Sequence, residues 1–285
     1  MSRKSSKGKE QIKLARQTVY KGDCLSVVQK RCKKGTVDLV VADPPYNIGK
    51  NYEAYSDNKK VDHYIGWLWD RLGEIHIAMR PGGAFFLFIN DGLVSEVDMA
   101  VKSLATGPNR FYKKSHIVWH YTFGQHHSKN FTPSHTHILY YVKGRKNITF
   151  NDEPIRHASA RQVKYNDKRA NPKGRLPDNT WVIFPELMPE AFDPAGDTWL
   201  ASRVCGTYNE RERHSPNQLP EPLVQRIVEV SSNVGDIVID PFLGSGTTGA
   251  VCATLGRNFI GCDLSPTCVA ESRKRIKSAR AKIQD

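Results

Sequence analysis

The run Val37 to Ala42 stops at Asp43-Pro44-Pro45-Tyr46, and this junction limits the possible folds more than any other stretch of the chain. A short, almost unbroken apolar run marks a strand buried on both faces, as in a parallel sheet covered by helices. Two consecutive prolines then end the ladder, because each fixes φ and withholds an N–H donor. The strand tip is left with a charged acceptor, two carbonyl acceptors in a stiff extended peptide, and an aromatic face. A purine or pyrimidine amine, with two N–H bonds to give and a ring to stack, matches this set. A proline-rich turn closing a buried strand is the plainer reading of the same residues.

Comparable signals recur along the chain. Val19 to Val28 reads as a strand, a turn at Gly22-Asp23 and a helix start; Val61 to Met79 has helical spacing and is expected to end at Pro81-Gly82-Gly83. Strands are expected at Ala84 to Ile89, His116 to Thr122 and Thr136 to Val142, with a short helix through Leu93 to Leu104. Near the other end, Glu221 to Ser231, Thr247 to Leu255 and Pro266 to Lys282 read as helices, and Ile237 to Asp240 and Asn258 to Asp263 as strands. This alternation predicts an α/β fold: a doubly wound, mostly parallel, Rossmann-like sheet with helices on both faces.

Two segments break the pattern. Residues 1–16 carry six basic residues and one acid and read as a flexible tail. From Lys143 to Arg175 there are ten Lys or Arg against three acids and no sustained apolar period, too irregular for core and too long for an ordinary loop. With the aromatic-bearing stretch to Arg213, which holds Trp181, Phe184, Phe192, Trp199 and Tyr208, it is expected to form an inserted lobe. The catalytic domain would then comprise residues 17–142 and 214–285. Basic residues mixed with aromatics suit phosphate contact and base stacking; a solvated face over a satellite core is the alternative. The candidate DNA contacts are Lys143, Arg145, Arg161, Lys164, Lys168, Arg169, Lys173 and Arg175.

The formal net charge of +13 favours a polyanionic partner. No apolar stretch is long enough to span a bilayer and the start is polar, so a soluble, cytoplasmic, nucleoid-associated protein is expected, without a membrane partner. The six cysteines form no C-x-x-C pair and read as reduced packing residues. His126, His127, His135 and His137 invite a metal reading, since alternate strand positions share a face. No cysteine or carboxylate pair lies close by in the sequence, so ordinary strand or loop histidines, and no metal, are the expectation.

A second site follows the strand ending at Asp240. Pro241-Phe242-Leu243-Gly244-Ser245-Gly246-Thr247-Thr248-Gly249 satisfies G-x-G-x-x-G, in which glycines admit close approach of a ligand and the next helix offers free N–H groups. One strand later, Asp263 is placed to accept both hydroxyls of a ribose; a plain glycine turn with a helix cap is the alternative. An adenosine cofactor is implied, either a nicotinamide dinucleotide or S-adenosylmethionine. Hydride transfer has no evident use for an acid, two proline carbonyls and an aromatic ring at a strand tip, whereas methyl transfer to an amine does.

At this point the chain resembles the amino-directed DNA methyltransferases, whose catalytic motif is D-P-P-Y and whose cofactor motif is F-x-G-x-G. The order of the motifs, with the basic insert between them, is similar to the β group of that family. The resemblance implies S-adenosylmethionine as cofactor and double-stranded DNA as partner, with pairing into a homodimer common among relatives. It assigns catalysis to Asp43, Pro44, Pro45 and Tyr46. It assigns cofactor contacts to Asp23, Cys24, Leu25, Asp43, Gln218, Asp240, Phe242, Gly244, Gly246, Thr247, Thr248 and Asp263. Ser215 stands where relatives often have a His before Pro216, with His214 one place earlier. An acid at the first motif position is typical of adenine N6 enzymes and a serine of cytosine N4 enzymes, so the resemblance implies adenine N6, with cytosine N4 the alternative. The base would be flipped out of the duplex to reach Tyr46.

Overall fold

The computed structural model describes residues 15–121, 128–156, 160–181 and 217–282. Among them one sheet contains β1 (Gln17–Lys21), β2 (Val37–Ala42), β3 (Met79–Ile89), β4 (Phe111–His120), β5 (His135–Lys143), β6 (Thr180–Trp181), β7 (Ile237–Asp240) and β8 (Asn258–Asp263). The strand order is β1-β8-β7-β2-β3-β5-β4-β6. Every neighbouring pair is parallel except those of β5, which runs antiparallel to β3 and β4. The helices are α1 (Cys24–Arg31), α2 (Val61–Ala78), α3 (Val94–Ser103), α4 (Ala160–Val163), α5 (Glu221–Ser231), α6 (Thr247–Thr254) and α7 (Pro266–Ala281). The doubly wound, mostly parallel α/β sheet expected from the sequence is present.

Strand β2 shows why its sequence is so apolar. Leu39 and Val41 enter one core with Phe86, Val238 and residues of α5, α6 and α7. Val40 and Ala42 enter the opposite core with Leu68, Leu72 and Ile75 of α2 and Val97 and Val101 of α3. With helices on both faces the run Leu39 to Ala42 is wholly apolar and alternation disappears, while Asp38 near the strand's start is paired with Arg80 and accepts from Ile237 N. Strand β2 lies between β3 and β7, so the chain leaves it in opposite directions and a crevice opens at the carboxyl ends of β2 and β7.

Helix α2 ends at Ala78, ahead of Pro81-Gly82-Gly83, which lies inside β3. Gly82 has φ +82, and a Cβ there would sit 2.2 Å from the Asn147 carbonyl oxygen. These residues therefore admit a close chain crossing and do not stop a helix. Strand β4 starts at Phe111, before the expected His116, because exposed Lys113 and Lys114 hide its apolar alternation. The stretch after β5 also differs from a free lobe. Asn151 donates its N–H to Val230 O at 2.7 Å and its side-chain amide to Glu229 O and Ser232 O at 2.9 and 3.0 Å, packing this segment on α5. Trp181 belongs to the sheet edge. Phe184, Phe192, Trp199 and Tyr208 lie outside the described residues.

Candidate active site

One cavity opens at the tips of β2 and β7, bringing together stretches almost two hundred residues apart. Its wall includes Asp23, Cys24, Asp43, Pro44, Pro45, Asp240, Phe242, Gly244, Thr247, Thr248 and Asp263. Among the described residues five carboxylates (Asp23, Asp43, Glu53, Asp240, Asp263) line it against a single guanidinium, that of Arg71.

At the tip of β2, the Tyr46 hydroxyl donates to Asp43 Oδ1 at 2.6 Å, and the Tyr64 hydroxyl of α2 donates to the Pro45 carbonyl at 2.7 Å. The stiff turn is thus clamped from two sides. Tyr46 is not on the cavity wall; it packs between the two cores and braces Asp43. Burial pushes the Asp43 carboxyl up to about 7, against the lowering effect of the Tyr46 bond, and the Asp240 charge adds to the rise. Asp240 is likewise pushed up to about 7, chiefly by burial.

On the opposite wall, Asp240 organises the glycine turn: Oδ1 accepts from Phe242 N at 3.0 Å and Oδ2 from the Thr248 hydroxyl at 2.6 Å. Gly246 caps α6 at φ +77, and a Cβ there would meet Ser272 Cβ at 2.7 Å. Gly246 therefore serves the packing of α7 and is not on the cavity wall. Thr247 Oγ1 donates to Leu219 O at 3.0 Å. Asp263 accepts from Gly244 N and Ser265 N, both at 2.9 Å, with one carboxylate oxygen each. Asp263 also lies on the cavity wall, where a carboxylate can accept further hydrogen bonds.

Asp23 caps α1, accepting from Leu25 N at 2.9 Å, and pairs with Arg71 Nη2 at 2.5 Å. Leu25 is off the wall and its amide is engaged by that cap, and buried Gln218 lies between the lining residues Asn217 and Leu219. His214, Ser215 and Pro216 lie outside the described residues. Cys24 faces the cavity, but burial raises its thiol to about 12, which leaves it unfit as a nucleophile.

The wall contributions that sequence reasoning missed come from α2 and from the loop after the catalytic turn. Arg71 stacks over Trp67 at 4.3 Å, and Trp67 lies 5.9 Å from Phe242. The i, i+4 pair Trp67/Arg71 was the available signal. Buried Asp57 gathers the amides of Asn47, Ile48 and Lys50 at 2.7, 3.1 and 2.9 Å, folding the polar loop back on itself. This places Tyr52, Glu53 and Tyr55 over the cavity. Tyr52 Oη accepts from Asn217 at 3.1 Å, and Glu53 accepts from the Ser265 and Thr267 hydroxyls.

Two of the expected DNA contacts need correction. Lys143 ends β5 and is buried, its Nζ donating to His76 O and Met79 O at 2.6 and 2.8 Å, so it holds α2 to β3. Arg145 follows β5 at the amino end of β3, opposite the catalytic edge, and its guanidinium lies 4.4 Å over Tyr112. Arg161, Lys164, Lys168, Arg169, Lys173 and Arg175 are exposed, and Arg161, Arg169 and Arg175 line a shallow hollow with Arg156. Among the described residues no helix is long and apolar enough to cross a membrane.

Comparison with known proteins agrees with this geometry. The DNA methylase family profile matches residues 37–274. The chain is 35% identical over 265 residues to the DNA adenine methyltransferase YhdJ of Escherichia coli K12, covering 92% of this chain and 83% of that one. It is 31% identical over 249 residues to the Type II methyltransferase M.HpaI of Haemophilus parainfluenzae, covering 87% and 71%. The crystal structure of the M1.HpyAVI–SAM complex superposes with TM-score 0.62 at 21% identity, covering 91% of this chain and 98% of that one. The cytosine-N4-specific PvuII DNA methyltransferase superposes with TM-score 0.64 at 16% identity, covering 94% and 93%. These superpositions establish a shared fold, and the profile match and the two sequence relatives establish descent: the chain belongs to the DNA methylase family.

Proposed function

We propose that this protein transfers a methyl group from S-adenosylmethionine to the N6 amine of an adenine flipped out of double-stranded DNA. The observation that carries the reading is the meeting of the Asp43 turn and the Asp240 glycine turn in one acid-lined cavity. Among the described wall residues Asp23, Glu53 and Asp263 outnumber the guanidinium of Arg71 even with buried Asp43 and Asp240 part-protonated near pH 7, an excess of negative charge that favours a sulfonium cofactor over a pyrophosphate. Bound S-adenosylmethionine would supply an electrophilic methyl group. The residues suited to hold it are Asp263 toward the ribose, Asp23 and Cys24 toward the base, and Asp240 through the turn it organises.

The amine is a poor nucleophile while its lone pair is delocalised into the ring. Asp43 and the Pro44 carbonyl would accept its two hydrogens and free that pair, the Pro45 carbonyl being held by Tyr64. The protein's contribution is positioning, together with stabilisation of positive charge developing on nitrogen. With its carboxyl near 7, Asp43 is also matched to take up a proton at neutral pH. Tyr46 fixes the carboxylate through its hydroxyl, and the aromatic rings on the cavity wall that a base could meet are those of Tyr52, Tyr55, Trp67 and Phe242.

Adenine is the reading supported by the acid at the first motif position and by the name of the Escherichia coli relative. The exposed basic residues from Arg161 to Arg175 would hold DNA phosphates, and a homodimer is part of the proposal. Incubation with labelled S-adenosylmethionine and mixed-sequence duplex DNA, followed by digestion to nucleosides, tests it. N6-methyladenine is expected; N4-methylcytosine would replace adenine by the alternative, and no labelled base would end the proposal. Asp43→Ala should abolish turnover with cofactor binding retained.

A further inference from the structure

Two strands from the catalytic turn, four imidazoles and a carboxylate gather on one face of the sheet. Asp91 follows the end of β3; His135 and His137 occupy alternate positions of β5; His116 and His120 lie on β4. The register sets His137 beside Ile89 and His120 directly across from His135. Asp91 is 46 positions from His137 in sequence, so only the pairing of β3 with β5 brings a carboxylate to these histidines.

The donor atoms converge. His137 Nε2 lies 3.2 Å from His135 Nε2 and 3.2 Å from Asp91 Oδ1, and His135 Nε2 lies 3.9 Å from Asp91 Oδ1. A tetrahedral ion with bonds of about 2.0–2.1 Å separates its donors by about 3.3 Å, and an octahedral one by about 2.9 Å. The two separations from His137 match the tetrahedral case, and the His135–Asp91 separation of 3.9 Å would shorten by about 0.6 Å around such an ion. A hydrogen-bond network explains the arrangement less well, because one N–H on His137 Nε2 would have to serve two partners at once.

The other nitrogen of His137 is also engaged: Nδ1 lies 2.7 Å from His116 Nε2. An outer partner of this kind fixes the tautomer of a metal-bound imidazole. Among the described residues the buried Nδ1 of His120 meets no hydrogen-bond partner. It thus adds a further imidazole beside the cluster.

We infer that Asp91, His135 and His137 form a tetrahedral binding site for a zinc-class divalent ion, with His116 orienting His137 and the fourth position left to water. The ion would tie the end of β3 to the start of β5, a structural role independent of the methyl-transfer reading.

The test uses the full, untagged chain after chelator treatment. Titration with Co2+ should give the visible absorption of a tetrahedral complex at one equivalent, and Zn2+ should displace it and raise the melting temperature. His137→Asn should abolish the spectrum. Asp91→Asn, at an exposed position that leaves the fold intact, should weaken Zn2+ binding by at least about tenfold, and His116→Phe by about 10–100-fold. A His126→Asn/His127→Asn double variant should bind as the parent does. The inference is overturned if no stoichiometric metal binds, if Asp91→Asn and His137→Asn bind unchanged, or if only the 126/127 variant loses the ion.

Discussion

Asp43→Asn keeps the shape of the side chain and removes its charge, so it isolates what burying that charge does to the fold. Burial raises the Asp43 carboxyl from 3.8 to about 7. At about 1.4 kcal/mol per pH unit, the ionised form costs the folded state up to about 4 kcal/mol, an upper bound because partial water access screens the charge. The folded value lies above the unfolded one, so the stability linked to this proton is complete below about pH 4 and is lost as pH rises through about 7. Asparagine never ionises, and its Oδ1 can still accept the Tyr46 hydroxyl. Its advantage over the parent should therefore grow by about 2.5 kcal/mol between about pH 5 and pH 8. Urea unfolding of both proteins, followed by tryptophan fluorescence, reads this growth directly. Because Asp240 titrates in the same range, the change with pH is the diagnostic quantity and the absolute value is not. Equal differences at the two pH values, or a less stable variant at pH 8, would refute the burial argument. The same variant should be inactive, and methyl transfer by the parent should fall as pH drops through about 7.

Gly249→Ala should destabilise the protein by about 1–3 kcal/mol in urea unfolding, since its Cβ would meet Ile276 Cδ1 at 2.4 Å and Phe259 Cε1 at 2.8 Å. Asp57→Ala strands three backbone amides; calorimetry should show weaker S-adenosylmethionine binding, with about 1–3 kcal/mol of stability lost for the group. Lys143→Met should lower the melting temperature, while the affinity for DNA and its salt slope, read by fluorescence anisotropy, stay unchanged.

What the sequence revealed follows from how local each signal is. Strands β2, β7 and β8 were legible because burial on both faces leaves an almost unbroken apolar run, and their tips carried Asp43, Asp240 and Asp263 into one cavity. Strand β4 was foreshortened because its outer residues, Lys113 and Lys114, read as loop. Trp67, Arg71, Tyr52 and Glu53 escaped notice because only the closure of α2 and the Asp57 loop brings them to the cavity. Lys143 and Arg145 were misplaced by charge counting, which cannot tell a cation donating to buried carbonyls from one facing a partner. Gly246 and Gly249 looked like ligand contacts in the motif, yet the atoms they make room for belong to α7 and, for Gly249, also to Phe259 of β8.

The strand order also decides when this protein can begin to work. Strands β8 and β7 slot between β1 and β2, so the first two strands of the chain are joined into one sheet only when residues 237–263 arrive. Closing such distant pairs makes folding slow and leaves sheet edges open meanwhile. A nascent or truncated chain would carry its catalytic turn on a strand paired only with β3, with one edge open and no facing glycine turn. The earliest-made half of the active site stays inert until the last-made half inserts beside it, so chemistry on DNA is withheld from incomplete chains by topology alone.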